Sequence, residues 1–289
     1  MTGWLVVNYY LNNSRFDELY GYFDNAAKKL GISLLRKTNS ELMAEFMIGC
    51  GTMLEMPDFV LFWDKDVKLA RLMEAGGYKV FNSADAIEKC DDKAVTGIAL
   101  AGSGIRMPKT FVSPLTYFDD GISGEEFAEQ LERQLDYPMV VKDGSGSFGE
   151  QVALAHCRSE LLKLVKSKGR TSFIVQEFIG SSAGRDIRLY VCKGEVKAAI
   201  MRYNEKDFRA NFVEGAKMKP YTASEKQVEM AVKAADILGL SFGGIDILFG
   251  ENDEPVFCEA NSNAHFKKLY TVTGVNMADE ILKCIAEKI

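Results

Sequence analysis

The segment that decides the fold is Val140-Val141-Lys142-Asp143-Gly144-Ser145-Gly146-Ser147-Phe148-Gly149-Glu150-Gln151-Val152-Ala153-Leu154, a glycine-rich loop between two apolar runs. Glycines let a backbone approach a ligand closely, and the free N–H groups of such a loop suit phosphate oxygens. Lys142 adds a positive charge beside the loop. The segment therefore predicts that the chain binds a nucleotide.

Several classes of nucleotide-binding loop compete for this segment. The spacing of Gly144, Gly146 and Gly149 matches G-x-G-x-x-G, which is a weak signal without a helix after it. Residues 151–156 are instead typical of a strand, so the loop is predicted to join two antiparallel strands. A Walker loop is excluded because no Gly-Lys-Ser/Thr follows, and a protein kinase is excluded because no H-R-D or D-F-G motif occurs. A glycine hairpin without a ligand remains the alternative.

Composition narrows the class of protein further. A chain of 289 residues predicts one large domain or two to three small ones, and its net charge of −6 argues against a nucleic-acid partner. Its apolar runs are too short for a membrane span, and its first residues do not resemble a signal peptide. The six scattered cysteines favour reduced thiols over a zinc site or a disulfide framework. These features predict a cytoplasmic protein with no membrane partner, and they are compatible with a homo-oligomer.

The first 85 residues alternate between strand and helix patterns, which predicts a small α/β domain with a parallel sheet. The rest of the chain contains two short helices, hairpins and longer helices, which predicts an α+β fold. The predicted strands are Trp4–Tyr9, Asp58–Trp63, Tyr78–Phe81, Pro108–Val112, Phe173–Ile179, Asp186–Val191, Val196–Arg202, Ile245–Phe249 and Pro255–Ala260. The predicted helices are Phe16–Leu30, Val67–Ala75, two within residues 84–106, Gly124–Gln134, Leu161–Lys168, Ser224–Leu238 and Asp279–Lys288.

Three oxygen-bearing side chains near the C-terminus form a candidate metal site. Asp246 lies inside an apolar strand, and Glu259 and Asn261 lie two residues apart on the predicted partner strand, so their side chains share one face. A buried carboxylate is costly unless it is paired or bound to a metal. Oxygen ligands of this kind suit Mg²⁺, which takes further ligands from water and phosphate. A salt bridge from Asp246 to a lysine or arginine is the alternative for that residue.

Taken in order, seven segments of the chain resemble the ATP-grasp superfamily, and specifically the RimK-type carboxylate–amine ligases. They are Asp91-Asp92-Lys93, Pro138–Lys142 with the glycine loop, Gln176-Glu177-Phe178-Ile179, Asp186-Ile187-Arg188, Asp207-Phe208-Arg209-Ala210-Asn211, Gly244–Leu248 and Glu259-Ala260-Asn261-Ser262. The tail Thr273–Ala278 is also similar. The resemblance implies an α/β N-terminal domain at residues 1–85, followed by an ATP-grasp fold whose central (86–175) and C-terminal (176–289) subdomains clasp ATP.

The resemblance also implies roles for individual residues. ATP, with Mg²⁺ or alternatively Mn²⁺, is the implied cofactor set, and Asp246, Glu259 and Asn261 would hold the metal. Arg209, Asn211 and Arg202 would be catalytic, facing the phosphates and the acceptor. The implied ATP contacts are Lys93, Lys142, Gly144, Gly146, Ser147, Gly149, Gln176, Glu177, Phe178, Ile179, Asp186 and Arg188, with residues 177–178 at the adenine and Asp186 near the ribose.

The implied reaction activates a carboxylate as an acyl phosphate, and an amine then attacks to form an amide. The carboxylate could belong to an amino acid, a peptide or a protein tail. A small-molecule kinase and a degenerate nucleotide-binding module are the alternatives. The chain departs from the family pattern after Ser262, where it continues Asn263-Ala264-His265-Phe266-Lys267-Lys268. His265 and Lys267 are therefore candidate substrate contacts that put glutamate ligation in doubt, although Lys267 and Lys268 also suit the solvated start of a helix.

Overall fold

Three β-sheets organise the chain in this computed structural model. The structure describes residues 1–11, 14–46, 56–117, 125–146, 151–212 and 215–289. Within those ranges, no helix combines the length and the apolar character that crossing a membrane requires.

The first sheet is parallel, with strand order β2-β1-β3-β4, and helices alternate with its strands. This confirms the predicted α/β start of the chain. The sequence patterns missed β2 and α2, because β2 is an edge strand with mostly exposed side chains and α2 is short. The elements are β1 (Thr2–Val7), α1 (Ser14–Lys29), β2 (Ser33–Thr38), α2 (Asn39–Glu45), β3 (Phe59–Phe62), α3 (Val67–Ala75) and β4 (Val80–Phe81).

The second sheet is antiparallel, with strand order β5-β8-β6-β7. As predicted, the glycine loop joins two antiparallel strands, β6 and β7, whose pairing extends to Lys142 opposite Val152. The predicted helix at 124–134 is present from Glu125, and Gly124 lies outside the described residues. The elements from α4 onward are α4 (Ala84–Asp91), α5 (Lys93–Leu100), β5 (Thr110–Val112), α6 (Glu125–Glu132), β6 (Met139–Asp143), β7 (Val152–Ala155), α7 (Arg158–Ser167) and β8 (Phe173–Glu177).

The third sheet is antiparallel, has five strands, and has the order β11-β10-β9-β12-β13. Its short edge strand β11 was not among the predicted elements, whereas α9 begins at Lys267, which confirms the helix start considered as the alternative for Lys267 and Lys268. The boundary placed after residue 175 falls inside β8, and the residues after β8 supply this third sheet. The elements are β9 (Arg185–Cys192), β10 (Glu195–Tyr203), β11 (Lys217–Pro220), α8 (Glu225–Ile237), β12 (Phe242–Phe249), β13 (Pro255–Asn261), α9 (Lys267–Thr273) and α10 (Met277–Ala286).

The two faces of the third sheet bury different side chains, because side chains alternate along a strand. Ile187 and Leu189 of β9 and Ile245 of β12 pack with α8 in one apolar core. Residues of α4 and α5 join that same core, so both helices pack on the third sheet. The opposite face is apolar only at one end, where Tyr190 and Phe242 meet α1 and α10. Its other end carries charged side chains and faces the second sheet.

Candidate active site

A cleft lies between the second and third sheets. The predicted nucleotide-binding segments line its two walls. From the second sheet and α5 come Lys93, Val140, Lys142, Gly146, Gln176, Glu177, Phe178 and Ile179; from the third sheet and its neighbouring loop come Asp186, Arg209, Asn211, Asp246, Leu248 and Glu259. Sequence segments more than 150 residues apart in the chain therefore meet in one cavity.

The described part of the glycine loop is hydrogen-bonded to the first residue of α5. The N–H group of Lys93 donates to Gly144 O at 2.9 Å, and the Lys93 Nζ atom approaches Gly146 O at 3.5 Å. Gly146 has a φ of 152°, a backbone conformation that other residues rarely adopt, so a larger residue would be strained there. Ser147 and Gly149, predicted to contact phosphate, lie outside the described residues.

Two lysines bring positive charge into the cleft. Lys93 is the first residue of α5, which Asp92 caps by accepting hydrogen bonds from the N–H groups of Ala94 and Val95 at 2.8 and 3.2 Å. Lys142 lies on β6. Within the described ranges, neither ammonium group has a carboxylate within 4.0 Å, whereas the nearby Lys168 pairs with Asp143 at 2.5 Å. The charges of Lys93 and Lys142 are thus available to an anionic ligand such as a polyphosphate.

A four-residue charge cluster covers the third-sheet wall. Arg188 donates to both oxygens of Asp246 at 2.6 and 2.7 Å. Arg202 donates to both oxygens of Asp186 at 2.6 Å and also to Asp246 Oδ2 at 2.8 Å. Burial acts to raise the pKa of Asp246, but the two guanidinium groups outweigh it and hold that pKa below its usual value. Asp246 therefore stays ionised although it is buried.

The predicted metal-binding residues come together on β12 and β13. Asp246 and Glu259 lie opposite each other in the strand pairing, and Asn261 follows two residues later on the same face. The Asn261 amide nitrogen is buried without a hydrogen-bond partner in the described structure. No described cluster of three His, Cys, Asp or Glu side chains could hold a metal by itself. Two carboxylates and one amide fit Mg²⁺, which keeps water and phosphate oxygens as its remaining ligands.

The salt-bridge alternative considered for Asp246 is also realised, since Arg188 and Arg202 both contact its carboxylate. Each carboxylate oxygen has two lone pairs, so these contacts leave acceptor capacity on Asp246. Glu259 has no salt-bridge partner among the described residues and faces the cleft. Glu259 is therefore the more available of the two carboxylates for a cation.

The structure places the predicted catalytic residues at different depths. Arg209 and Asn211 line the cleft. Arg209 donates to both oxygens of Asp207 at 2.9 and 2.8 Å, and its guanidinium lies 3.8 Å from the centre of the Phe212 ring. Arg202 is only 3% exposed and does not line the cleft, because it is enclosed by Asp186 and Asp246. Asp186 itself borders the cleft while holding Arg202.

His265 and Lys267 are not brought into the cleft. The His265 ring packs edge-on against Phe16 of α1, with ring centres 5.4 Å apart, and its carbonyl oxygen accepts a hydrogen bond from the Tyr190 hydroxyl at 2.7 Å. Lys267 begins α9 and pairs with Glu18 of α1. Both residues thus lie where α1 packs beside the third sheet.

Sequence reasoning missed some residues that line the cleft. Cys258 stands beside Glu259 where the β12–β13 pairing is irregular, and burial raises the pKa of its thiol to about 11. Phe208 and Leu248 add apolar surface. Leu248 could have been found from its position two residues after Asp246 on the same strand face. Nothing in the sequence pattern distinguishes Cys258.

The sequence and the fold of the chain resemble those of known proteins. Residues 90–285 match the RimK-like ATP-grasp domain family. An uncharacterized Mycoplasma pneumoniae protein is 34% identical over 78% of this chain and 80% of its own length. The alpha-aminoadipate–LysW ligase LysX of Saccharolobus solfataricus is 32% identical over 75% of this chain and 77% of its own. The solved structure of Bacillus anthracis D-alanine–D-alanine ligase with ATP shares the fold, with a TM-score of 0.75, 15% identity, and coverage of 99% of this chain and 96% of that one.

Proposed function

The chain belongs to the RimK-like ATP-grasp family, and on that premise we propose that it uses ATP to activate a substrate carboxylate and then joins this group to an amine. The family and its ligase relatives make the chain an ATP-dependent enzyme that forms carbon–nitrogen bonds. The carboxylate is proposed to belong to an amino acid, a peptide or a protein tail, with ligation of glutamate as one form of the reaction.

One observation carries this proposal. The cleft combines two lysines without carboxylate partners in the described structure with Asp246 and Glu259 on the opposite wall, and Asn261 follows Glu259 two residues later on the same strand face. Positive charge and metal-binding oxygens on facing walls suit a polyphosphate between them. We propose that Lys93, Lys142 and the glycine loop hold the phosphates. The backbone of residues 176–179, together with Val140 and Leu248, would hold the adenine.

The proposed first step is attack by a carboxylate oxygen on the γ-phosphorus of ATP. The bond from this phosphorus to ADP breaks as the new P–O bond forms, which gives an acyl phosphate and ADP. Phosphoryl transfer needs positioning and charge neutralisation more than covalent help, so no protein nucleophile is proposed. Bound Mg²⁺ would neutralise phosphate charge between Glu259, Asp246 and Asn261.

In the second step a neutral amine attacks the carbonyl carbon, and inorganic phosphate leaves as the amide bond forms and the amine loses a proton. We propose that Arg209 and Asn211, which line the cleft, face the reacting groups. Arg202 is proposed to act from behind the cleft wall, where it holds Asp186 and Asp246 in position. Asp186 and Arg188 would then shape the floor under the ribose and phosphates.

The test is ADP release from MgATP, measured with pools of carboxylates and amines supplied separately and together. Hydroxylamine is added as a general amine, because it converts an acyl phosphate into a stable hydroxamate. Release that requires a carboxylate and yields a hydroxamate supports the ligase. Phosphorylation of an acceptor that carries no carboxylate, with no hydroxamate formed, would contradict it and indicate a kinase.

A further inference from the structure

Two buried cysteines meet where the last helix packs on the third sheet. Cys192 is the last residue of β9, and Cys284 lies on α10. Their exposed fractions are 0% and 4%, and both belong to the apolar core that α1 and α10 share with the third sheet. Neither of these two described residues lines the candidate active-site cleft. The proposed ligase reaction therefore leaves both thiols without a role.

Backbone contacts place the two sulfur atoms near each other. The Cys192 thiol donates to Glu280 O, with the sulfur 3.6 Å from that oxygen, and Glu280 lies about one helical turn before Cys284. The Cys284 thiol in turn lies 3.8 Å from Ser241 O. Ser241 directly precedes Phe242, which lies opposite Cys192 in the pairing of β9 with β12. Each thiol is thus directed at the backbone beside the other cysteine, and both are free thiols.

Contact between the two thiols changes the acidity of both. The hydrogen-bonding contact with Cys192 is the main cause that lowers the pKa of the Cys284 thiol; burial opposes this, and the Lys288 and Lys193 ammonium groups add to it. The same contact, together with burial, raises the pKa of Cys192. Because the thiolate is the reactive form of cysteine, Cys284 is the more reactive member of the pair, and Cys192 supplies the neighbouring thiol.

The position of Cys284 in the chain gives small molecules a route to it. Cys284 lies in the last turn of α10, and helix ends fray. The contacts that hold the following residues to the sheet lie at the surface, where Lys193 pairs with Glu287 and the Lys288 ammonium donates to Ser241 Oγ at 3.2 Å. Opening of this last turn would expose Cys284 to solvent while the strands stay paired.

From this arrangement we propose that Cys192 and Cys284 form a modification site, at which hydrogen peroxide converts the two thiols into a reversible disulfide. The Cys284 thiolate attacks one peroxide oxygen, the O–O bond breaks, and a sulfenic acid and one water result after proton uptake. The Cys192 sulfur then attacks the Cys284 sulfur, the S–O bond breaks, and the hydroxyl group leaves with the Cys192 proton as a second water. The two sulfurs lose two electrons, which the peroxide gains. A dithiol reductant reverses the change by thiol–disulfide exchange.

The experiment maps disulfides in the full chain after treatment with hydrogen peroxide in the absence of ATP. Free thiols are blocked with iodoacetamide before digestion, and trypsin then releases Cys192 within residues 189–193 and Cys284 within residues 284–288. A cross-link between these two peptides is expected to be the main product at both cysteines, and dithiothreitol should remove it. The melting temperature should rise on oxidation and fall again on reduction, because the bond closes a long loop of the unfolded chain.

Cys157→Ser is the matched control, because Cys157 is an exposed thiol on another sheet's helix, and this variant is expected to form the same cross-link. Cys192→Ser removes the resolving thiol, so its Cys284 should stop at the sulfenic acid and be labelled by dimedone.

The proposal is overturned without any variant if wild-type Cys192 and Cys284 are both recovered as blocked free thiols while the exposed Cys157 is oxidised. Pairing of either residue mainly with other cysteines, or Cys192→Ser without a dimedone label on Cys284, would also overturn it. None of these outcomes depends on the proposed ligase function, because no nucleotide or substrate is present.

Discussion

Asp186 and Arg202 lie directly opposite each other on neighbouring strands and form a buried salt bridge with two hydrogen bonds of 2.6 Å. Arg202 also reaches Asp246 at 2.8 Å, so one guanidinium group links two carboxylates. Removing this guanidinium would leave two buried carboxylates without part of the positive charge that balances them. Arg202→Met is therefore expected to lower the free energy of unfolding by about 3–5 kcal/mol, measured by denaturant titration. Arg71→Met, which breaks an exposed pair with Glu88, should cost under about 1 kcal/mol; equal costs would contradict a special role for the buried pair.

Glu259 is the more available of the two carboxylates in the candidate Mg²⁺ site. Glu259→Gln keeps its size and removes the negative charge, so a higher Mg²⁺ concentration should be needed for ADP release. The increase should be at least about 10- to 100-fold, the cost usual for losing even an outer partner of a metal site. Titration of activity against Mg²⁺ at saturating ATP measures it. An unchanged Mg²⁺ requirement would remove Glu259 from the metal site.

Lys142 is expected to bind phosphate oxygens. Lys142→Ala should weaken ATP binding by about 10- to 150-fold, the equivalent of one hydrogen bond to a charged group. The dissociation constant is measured by calorimetry with MgATP. Lys226→Ala is the control, because Lys226 is an exposed lysine paired with Glu254 on the protein surface. Similar affinities for the two variants would show that Lys142 does not contact ATP.

The buried Asp64 carboxylate should make stability depend on pH. Its pKa is raised in the folded state, so its favourable contribution is complete below the unfolded pKa and is lost as pH rises through the folded pKa. The Asp64→Asn variant has no carboxyl group to ionise at this position, so it does not lose stability in this way. The variant is therefore expected to gain stability relative to the wild type between acid and neutral pH, by about 1.4 kcal/mol for each unit of pKa shift. Unfolding titrations at pH 3.5 and pH 7 on both proteins measure the difference in stability. A gain that does not grow with pH would contradict the raised pKa of Asp64.

Asn82 directly follows β4 of the first sheet and forms hydrogen bonds at the open end of the β12–β13 hairpin. Its amide nitrogen donates to Phe242 O and Ser262 O at 2.9 Å each, and its oxygen accepts from the Ser241 N–H group at 2.8 Å. Asn82→Ala would leave these buried groups unpaired, at about 1–3 kcal/mol each. Because Ser262 follows Asn261, the variant should also need more Mg²⁺ for activity. Asn82→Asp keeps the acceptor but turns a buried carboxylate oxygen toward two carbonyl oxygens, so it should be at least as unstable as Asn82→Ala. A loss of stability without a change in Mg²⁺ requirement would limit Asn82 to folding.

Much of this architecture could be predicted from local sequence patterns. The glycine loop between β6 and β7 was identified because strand patterns flank it on both sides. The facing positions of Asp246 and Glu259 followed from alternation along two strands of one hairpin. Strands β2 and β11 were missed because their edge positions leave them mostly exposed, without a buried apolar pattern.

Contacts between distant segments could not be predicted in the same way. Arg188 and Arg202 reach Asp246 across 58 and 44 residues of chain, and only the strand order β10-β9-β12 brings them together. The burial of Asp64 depends likewise on how β1 and β3 lie side by side. A sequence pattern contains the residue types, but the pairing register of separate strands decides which charges are balanced.

The hydrogen bond between the start of α5 and the glycine loop has a consequence for the electrostatics of nucleotide capture. It keeps Lys93 beside the second sheet, which carries Lys142, so both ammonium groups face the Asp246 and Glu259 carboxylates across the cleft. Any change in the separation of the walls therefore changes the distance between opposite charges. A polyphosphate with its Mg²⁺ would be attracted to both walls at once, so the ligand itself would hold the closed cleft together electrostatically.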